Sequence, residues 1–365
     1  MASEEPIKTA LHDVQVAMGA TFAAEGGWYW LDSFGDVPGE YRAVREGVGV
    51  WDMSPLIKWD WRGSQAAAAV QCVFSNDALG MEIGQVRYGG FLDADGSLVD
   101  DGTVFKLADD HFWVMTNGMD LAGFFAGATK GLDVSIEHIT QDMPNFQVQG
   151  PESRNLLAGL TDADLDTPAY FRFYPEPVMV GGVPAWLSRT GFSGELGYEL
   201  FVRREQAEDL WNVLVGSGAK LYGNSAIEMC RIESGMIVTG FDYEPRTGTP
   251  FDVGLDGFVA LGADIPGRSR LAEVAKAPPN RFKTLRWDGD ELPEYGTPVT
   301  KDGERVGLLT SPTNSPVFGP TGLAMIRTEA AEDGGTVEVP GPSGTITATI
   351  GPTPIYDPNK ERVRM

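Results

Sequence analysis

The chain has 365 residues, 42% of them hydrophobic, and its 28 basic and 52 acidic side chains give a formal charge of −24. The length predicts two or three domains, and the acidity, with no run of Lys or Arg, argues against nucleic-acid and anionic-membrane partners. No apolar run reaches the roughly 20 residues that span a bilayer, and the acidic start, Met1–Pro6, is unlike a signal peptide. We therefore expect a cytoplasmic protein.

Cysteines and histidines are few. Cys72 and Cys230 lie far apart in apolar contexts, which favours reduced, buried thiols over a disulfide. His12, His111 and His138 lack the spacing of metal ligands, so we predict no metal site.

The N-terminal part of the chain is rich in large aromatic side chains. A predicted helix, Ile7–Met18, precedes them. The cluster comprises Trp28, Tyr29, Trp30, Trp51, Trp59 and Trp61. Core packing is one interpretation, because aromatic residues dominate protein cores. The other is an aromatic box for a flat heterocycle or a methylated cation, and these residues alone leave both open.

Two adjacent carboxylates, Asp100 and Asp101, precede a β-like run, Thr103–Leu107. Neighbouring residues on an extended chain point to opposite faces, so we expect at most one carboxylate to face a given pocket. Burying a carboxylate is costly unless it is paired, hydrogen-bonded or needed by a ligand. Asp-Asp-Gly is also ordinary turn chemistry, so this stretch does not by itself distinguish a turn from a catalytic site. Farther on, Asn117-Gly118 predicts another turn.

A glycine-rich segment, Arg189–Glu199, connects two predicted strands within Pro184–Val202. Its glycines allow the backbone to come close to a ligand or another chain. Glu199 lies in an otherwise apolar strand and shares a face with Phe201 by alternation. This position predicts a buried carboxylate.

The pattern of the chain changes at a Pro-rich linker, Ala277–Asn280. Before it, predicted helices alternate with strands. One of these helices opens with Ser225-Ala-Ile-Glu228, a pattern typical of a capping box. Beyond the linker, Arg281–Arg327 and Gly335–Ile350 alternate as short strands between Gly/Pro turns. We predict an α/β region over residues 1–276 and an all-β domain over residues 281–365.

Several short motifs follow one another along nearly the whole chain. They are Ala43–Ser54, Ser75–Asp77, Gly96–Asp101, Val148–Pro151, Ser188–Glu195, Gly197–Leu200 and Arg231–Gly235. In this order they resemble the aminomethyltransferase (T-protein) family of the glycine cleavage system and its folate-dependent demethylase relatives. The resemblance implies an α+β fold with three domains in a cloverleaf. Two domains would be interleaved α/β layers, the third a C-terminal β-barrel, and tetrahydrofolate would occupy the central hole.

The resemblance also implies roles for individual residues. Asp101 matches the catalytic carboxylate beside the reactive nitrogens of the folate, and Glu199 matches the residue that hydrogen-bonds the pterin ring. A pterin presents a donor-rich edge to which a carboxylate can bind bidentately, while its flat faces require apolar walls. The other matched cofactor-binding positions are Leu56, Tyr88, Phe105, Asn117 and Phe192.

Four residues at three places in the chain depart from the pattern of the glycine cleavage enzymes. Pro55-Leu56 replaces their His-Met, and Phe192 replaces a tyrosine. Ile227 replaces the arginine that contacts the glutamate tail of the folate, which leaves open how the tail is held. The amino-acid sequence of Arg231–Gly235 is more similar to that of the dimethylsulfoniopropionate demethylase branch.

These departures and the aromatic cluster favour demethylation of a small N-, S- or O-methylated compound, with folate accepting the carbon. Trp28, Tyr29 and Trp30 would then face a methylated cation. One alternative is the aminomethyltransferase step of glycine cleavage, which requires a surface for a lipoyl carrier protein. A second is a folate-binding regulatory protein without turnover. The sequence does not name the one-carbon donor, because a few side chains from several loops shape such pockets.

Overall fold

The computed structural model describes residues 5–117 and 120–365. Its helices are α1 (His12–Ala17), α2 (Val37–Glu46), α3 (Ala66–Gln71), α4 (Ala122–Ala128), α5 (Ser153–Ala158), α6 (Ala207–Gly216), α7 (Asn224–Glu233) and α8 (Arg268–Val274). The first is shorter than predicted, because Ile7 forms a β-bridge with Trp28 instead. Among the helices of the described part, none is long and apolar enough to cross a membrane. Residues 1–4, which belong to the N-terminal stretch that we compared with a signal peptide, lie outside the described residues. The same holds for Gly118 of the predicted Asn117-Gly118 turn.

Two sheets and a hairpin form the region before the barrel. Their strands are β1 (Thr21–Glu25), β2 (Trp28–Ser33), β3 (Gly49–Asp52), β4 (Ile57–Arg62), β5 (Val86–Leu92), β6 (Leu98–Ala108), β7 (His111–Thr116), β8 (Ser135–His138), β9 (Asn145–Gln149), β10 (Val178–Val180), β11 (Val183–Ser188), β12 (Gly197–Phe201) and β13 (Lys220–Leu221). β1 and β2 form the hairpin, one sheet has the order β10-β11-β12-β9-β3-β13, and the other has the order β5-β6-β7-β4-β8. We call the sheet that contains β3 the first sheet and the sheet that contains β4 the second. The chain contributes β3 to the first sheet, then forms all strands of the second sheet (β4 to β8), and then returns to the first sheet with β9, which confirms the interleaving.

Alternation along β4 divides its side chains between two environments. Trp59 and Trp61 are buried against Phe125, with ring centroids 5.3 and 4.9 Å apart in edge-to-face geometry. The opposite face carries Asp60 and a fully buried lysine, Lys58. The aromatic face thus builds the core of the second sheet, and the lysine faces away from that core.

The C-terminal part forms a closed barrel. Its strands are β14 (Asn280–Arg286), β15 (Thr297–Lys301), β16 (Glu304–Ser315), β17 (Gly319–Arg327), β18 (Thr336–Gly341) and β19 (Gly344–Gly351), in the order β14-β17-β16-β15-β18-β19. This confirms the predicted all-β architecture. The tail after the barrel runs back to the first region, where Arg189 donates to the carbonyls of Val363 and Met365 at 3.1 and 3.0 Å. The division into residues 1–276 and 281–365 stays a prediction.

The capping-box prediction at the start of α7 is wrong. The helix begins at Asn224, so Ser225 lies inside it and donates to Asp32 at 2.7 Å. The Glu228 carboxylate forms an ion pair with Arg231, three residues ahead, instead of turning back to the helix start. On a helix, residues three apart are neighbours, and a strong cationic partner competes successfully with the backbone N–H.

A buried ion pair joins α7 to the barrel. Arg231 donates to Asp242 at 2.7 Å, and both side chains are fully buried. Ser311 on β16 accepts from Arg231 at 2.8 Å and donates to Asp242 at 2.7 Å, while Thr310 donates to Asp242 at 2.5 Å. The hydrogen bonds around both charges compensate for the loss of water.

Asp242→Asn should lower the free energy of unfolding by about 3 kcal/mol, because it removes the fully buried anionic partner of Arg231 and leaves only the partly exposed Glu228 carboxylate to compensate for that charge. Urea denaturation measures the difference. The matched control is Lys276→Met, which removes the exposed ion pair with Glu273 and should cost less than about 1 kcal/mol. Equal effects of the two substitutions would contradict the claim that the buried ion pair stabilises the contact between α7 and the barrel.

Candidate functional site

Asp100 and Asp101 lie on β6, next to an irregularity in its pairing with β5. Asp100 pairs with Phe91 and Leu98 pairs with Leu92, so that Val99 is an extra residue between them. Such a bulge increases the local twist and redirects side chains. Both carboxylates are buried; Asp100 is 0% and Asp101 4% exposed.

The two carboxylates share hydrogen-bond donors, so the expectation that they face different environments is wrong. Thr239 Oγ1 lies 2.5 Å from Asp100 Oδ1 and 3.1 Å from Asp101 Oδ1. Asn117 Nδ2 lies 2.9 and 3.2 Å from the same two oxygens. The bulge before Asp100 accounts for the convergence, because regular alternation would separate the two side chains.

Two tyrosine hydroxyls complete the surroundings of Asp101. Tyr88 donates to Oδ2 at 2.6 Å and Tyr243 donates to Oδ1 at 2.7 Å, with Thr239 2.6 Å from the Tyr243 hydroxyl. Burial, together with the neighbouring Asp100 carboxylate, raises the pKa of Asp101 to about 7. Burial also raises the pKa of Asp100. The pair can therefore hold a proton near neutral pH and exchange it with hydroxyl groups.

Glu199 is a second buried carboxylate, 7% exposed, as its position in β12 predicted. Gln147 donates to its Oε1 at 3.1 Å, Asn145 Nδ2 lies 3.5 Å from the same oxygen, and Thr190 donates to Oε2. Burial raises the pKa of Glu199. Among the described residues, the amide oxygens of Asn145 and Gln147 have no hydrogen-bond partner although both are buried. A cluster of buried acceptors without donors is the arrangement that a donor-rich ligand edge would satisfy.

An aromatic contact joins the strands that carry the two carboxylates. Phe105 is on β6, four residues after Asp101, and Phe201 is on β12, two residues after Glu199. Their ring centroids are 5.5 Å apart. Even spacing on a strand keeps residues on one face, so both carboxylates face the contact between the two sheets.

The apolar and aromatic residues predicted to cover the faces of the pterin lie in different packing environments. They are Leu56, Tyr88, Phe105 and Phe192. Leu56 is half-buried beside the cluster that contains Phe105, and Phe105 itself is only 1% exposed. Tyr88 is half-buried with its ring edge-to-face to Phe258 at 4.9 Å. Phe192 is half-buried against a separate cluster around Trp51. The structure thus groups Leu56 with Phe105, places Tyr88 and Asn117 at the carboxylate pair, and packs Phe192 against a different cluster from Leu56.

The three predicted substrate aromatics divide between the two faces of β2, with Trp28 and Trp30 on one face and Tyr29 on the other. Trp28 is buried in the core of the second sheet. Tyr29 points to the other side of β2, with its ring 5.3 Å from that of His12. Trp30 is half-buried and 6.1 Å from Trp51. Alternation along β2 separates Tyr29 from its two neighbours, and the cation role of these residues stays a prediction.

Two parts of the site were missed in the sequence. Thr239 and Tyr243 follow α7 in an irregular segment, with no pattern that points to the carboxylates. For Asn145 and Gln147 a signal existed, because β9 places polar residues at alternate positions in a strand whose residues are all buried. An alternating polar row in a fully buried strand indicates hydrogen bonding inside the protein or to a ligand.

The fold defines a class: an α+β protein with two interleaved sheets and a C-terminal closed β-barrel. Residues 11–263 match the GCVT N-terminal domain, and residues 280–357 match the glycine cleavage T-protein C-terminal barrel domain. An aminomethyltransferase from Streptomyces avermitilis is 34% identical over 91% of each chain. The aminomethyltransferase T of the glycine cleavage system from Bartonella henselae has the same fold, with a TM-score of 0.87, 22% identity and coverage of 96% of this chain and 98% of that one.

A trimethylamine-oxide aldolase from Ruegeria pomeroyi is 33% identical over 98% of this chain and 48% of its own length. Taken together, the domain matches and the full-length relatives show that the chain belongs to the glycine cleavage T-protein family and is an enzyme.

Asp101→Asn should make stability less dependent on pH. The folded wild type keeps a proton on Asp101 up to about pH 7, whereas an ordinary aspartate with a pKa of 3.8 has released it. The stabilising contribution of this proton is complete below the unfolded pKa and is lost as the pH rises through the folded pKa. In urea denaturation between about pH 5 and pH 8, the free energy of unfolding should therefore fall more steeply for the wild type than for the variant.

The control for this measurement is Asp142→Asn at an exposed aspartate, which should follow the wild-type slope. Parallel slopes for wild type and Asp101→Asn would show that Asp101 ionises normally in the folded protein.

Proposed function

We propose that this enzyme is a tetrahydrofolate-dependent one-carbon transferase in which Asp101 is the catalytic carboxyl group. The observation that carries the proposal is the buried Asp101 carboxyl, held by Tyr88, Thr239 and Tyr243 with a pKa of about 7. A general acid–base group is most effective when its pKa lies near the working pH. The strand that carries Asp101 contacts the strand that carries Glu199 through Phe105 and Phe201. This arrangement fits a ligand that interacts with one carboxylate at each of its two ends.

The residues around Glu199 fit the pterin ring of a folate. The unpartnered oxygens of Asn145 and Gln147, together with Glu199, offer acceptors to the amino and ring N–H groups of that heterocycle. Leu56 and Tyr88 supply half-buried apolar surface for its faces. When bound, tetrahydrofolate supplies the nitrogen atoms that accept the carbon unit.

Asp101 has two tasks in this proposal. In its ionised form, it can orient an accepting N–H group and stabilise positive charge that develops there. In its protonated form, it can donate a proton from an Oδ atom to the leaving group of the donor. Asp100 and the three hydroxyls keep the two forms close in free energy, because burial disfavours the charge and the hydroxyls stabilise it.

Aminomethyl transfer from a lipoyl carrier protein is the donor reaction that we propose first. Full-length relatives with up to 34% identity are named aminomethyltransferase. Tyr29 lies on the opposite face of β2 from Trp28 and Trp30, so the three side chains do not form one aromatic box, and one of the two sequence arguments for a methylated cation is weakened. This reverses the preference drawn from the sequence.

Transfer from a small methylated amine compound is the second candidate. It is favoured by the relative named trimethylamine-oxide aldolase, which matches nearly the whole of this chain, and by Ile227. That isoleucine is buried where the glycine cleavage enzymes are expected to have an arginine.

The test is turnover with tetrahydrofolate and separate donors: an aminomethylated lipoyl carrier, dimethylglycine, sarcosine, glycine betaine, a sulfoniopropionate and a methoxybenzoate. Mass spectrometry distinguishes methylene- from methyl-tetrahydrofolate. We expect methylene-tetrahydrofolate with the carrier and a loss of kcat of about 100-fold or more in Asp101→Asn, the scale of a lost general acid or base. Glu199→Gln should raise KM for the folate about tenfold through a weakened charge-assisted hydrogen bond.

Asp142→Asn again serves as the control and should leave both constants unchanged. Product from a small methylated compound but not from the carrier would select the second candidate. Tight folate binding without product from any donor would contradict a catalytic role and support a regulatory protein.

A further inference from the structure

Lys58 is a fully buried lysine that neither the family assignment nor the proposed mechanism has used. It lies on β4, on the face opposite Trp59. Its Nζ donates to two backbone carbonyls, those of Ser54 at 3.0 Å and Leu56 at 2.7 Å. Burying an ammonium group is costly unless nearby groups compensate for the lost water, so a purely apolar side chain would be the cheaper choice for packing alone.

The two carbonyls belong to the loop between β3 and β4, and this loop borders the Glu199 site. Met53 Sδ accepts from Gln147 Nε2 at 2.9 Å, and the same amide nitrogen donates to Glu199 at 3.1 Å. Leu56, the half-buried wall residue, ends the loop. The ammonium group therefore holds a loop that touches the carboxylate on one side and supplies apolar surface on the other.

Titratable groups on three other strands interact electrostatically with Lys58. Asp52 on β3 and Glu199 on β12 both favour its positive charge, while His138 lies on β8. Burial nevertheless lowers the pKa of Lys58 to about 7. Burial, followed by the positive charge of Lys58, lowers the pKa of His138. Of these groups, Glu199 is the one assigned to the ligand.

The Asp52 carboxylate accepts its hydrogen bonds from residues other than Lys58. Its Oδ2 accepts from Thr9 at 3.0 Å and from Gln15 at 3.1 Å, and its Oδ1 accepts from the backbone and side chain of Ser54. These bonds satisfy that carboxylate without the lysine. The charge of Lys58 also favours the ionised form of Glu199, whose own burial disfavours ionisation.

On the basis of the folate site proposed above, we propose that Lys58 is a positioning residue for folate binding: its ammonium group fixes the Ser54–Leu56 loop and supplies the positive charge that faces Glu199. Loss of the charge weakens the site in two ways. The loop carbonyls lose a charge-assisted hydrogen-bond donor, and the buried Glu199 carboxylate becomes harder to ionise.

The test compares wild type with Lys58→Met, a neutral side chain of similar length. At about pH 6.5, below the wild-type lysine pKa of about 7, the variant should bind tetrahydrofolate about tenfold or more weakly, the scale of one lost charge-assisted hydrogen bond. KM for the folate should rise accordingly, with a smaller change in kcat. Lys106→Met is the matched control, because Lys106 is another buried lysine that donates to a carbonyl, that of Met81 at 3.1 Å. It should leave the folate Kd unchanged.

The pH profile separates positioning from a merely structural role. The wild-type Kd for tetrahydrofolate should rise as the pH passes about 7, where Lys58 loses its proton. In Lys58→Met the Kd should already be high at low pH, and the rise near pH 7 that comes from Lys58 should be absent. Asp101 titrates in the same range, so the profile is repeated in Asp101→Asn, where the rise should persist.

A wild-type Kd that is independent of pH between about 6 and 8.5 would overturn the role of Lys58, whether or not Lys58→Met folds. A Kd for Lys58→Met equal to that of the wild type would overturn it as well. Either result with normal wild-type turnover leaves the proposed function intact. Absence of both folate binding and turnover in the wild type would instead overturn the proposed function and, with it, this inference.

Discussion

Burial of two adjacent carboxyl groups is the constraint on which the rest of the site depends. Asp100 and Asp101 cannot both be ionised and buried unless donors converge on them. Those donors come from three distant parts of the chain: Tyr88 on β5, Asn117 after β7, and the segment with Thr239 and Tyr243 after α7. Their convergence fixes how the second sheet meets that segment.

Glu199 is buried by the same rules but receives a different kind of compensation. Its donors are amides and a hydroxyl, and the positive charge that favours its ionised form is that of Lys58, whose ammonium group donates to loop carbonyls. The surroundings of Asp101 suit a carboxyl group that exchanges a proton, whereas those of Glu199 suit a carboxylate that remains a hydrogen-bond acceptor. The contact between Phe105 and Phe201 holds the two at opposite sides of one interface between the sheets. This division suits a ligand that is recognised at one end and reacts at the other.

Alternation and composition were sufficient to predict the all-β C-terminal region and the buried Glu199, because these features depend on the period of single strands. Interleaving of the two sheets and the role of Asp101 came from the family resemblance. The convergence of Asp100 with Asp101 was missed because a bulge at Val99 depends on strand pairing. Thr239 and Tyr243 were missed because long-range hydrogen bonds leave no local pattern, and Ser225 misled because its helix begins one residue earlier.

A crystal structure of the protein with tetrahydrofolate bound tests the central claim most directly: the two carboxyl groups have different tasks toward one ligand. Our account predicts electron density for a pterin ring whose amino-pyrimidine edge contacts Glu199 and whose reactive nitrogens lie within hydrogen-bond distance of Asp101. A folate bound on the outer surface of the barrel, or one in contact with only one of the two carboxyl groups, would contradict it.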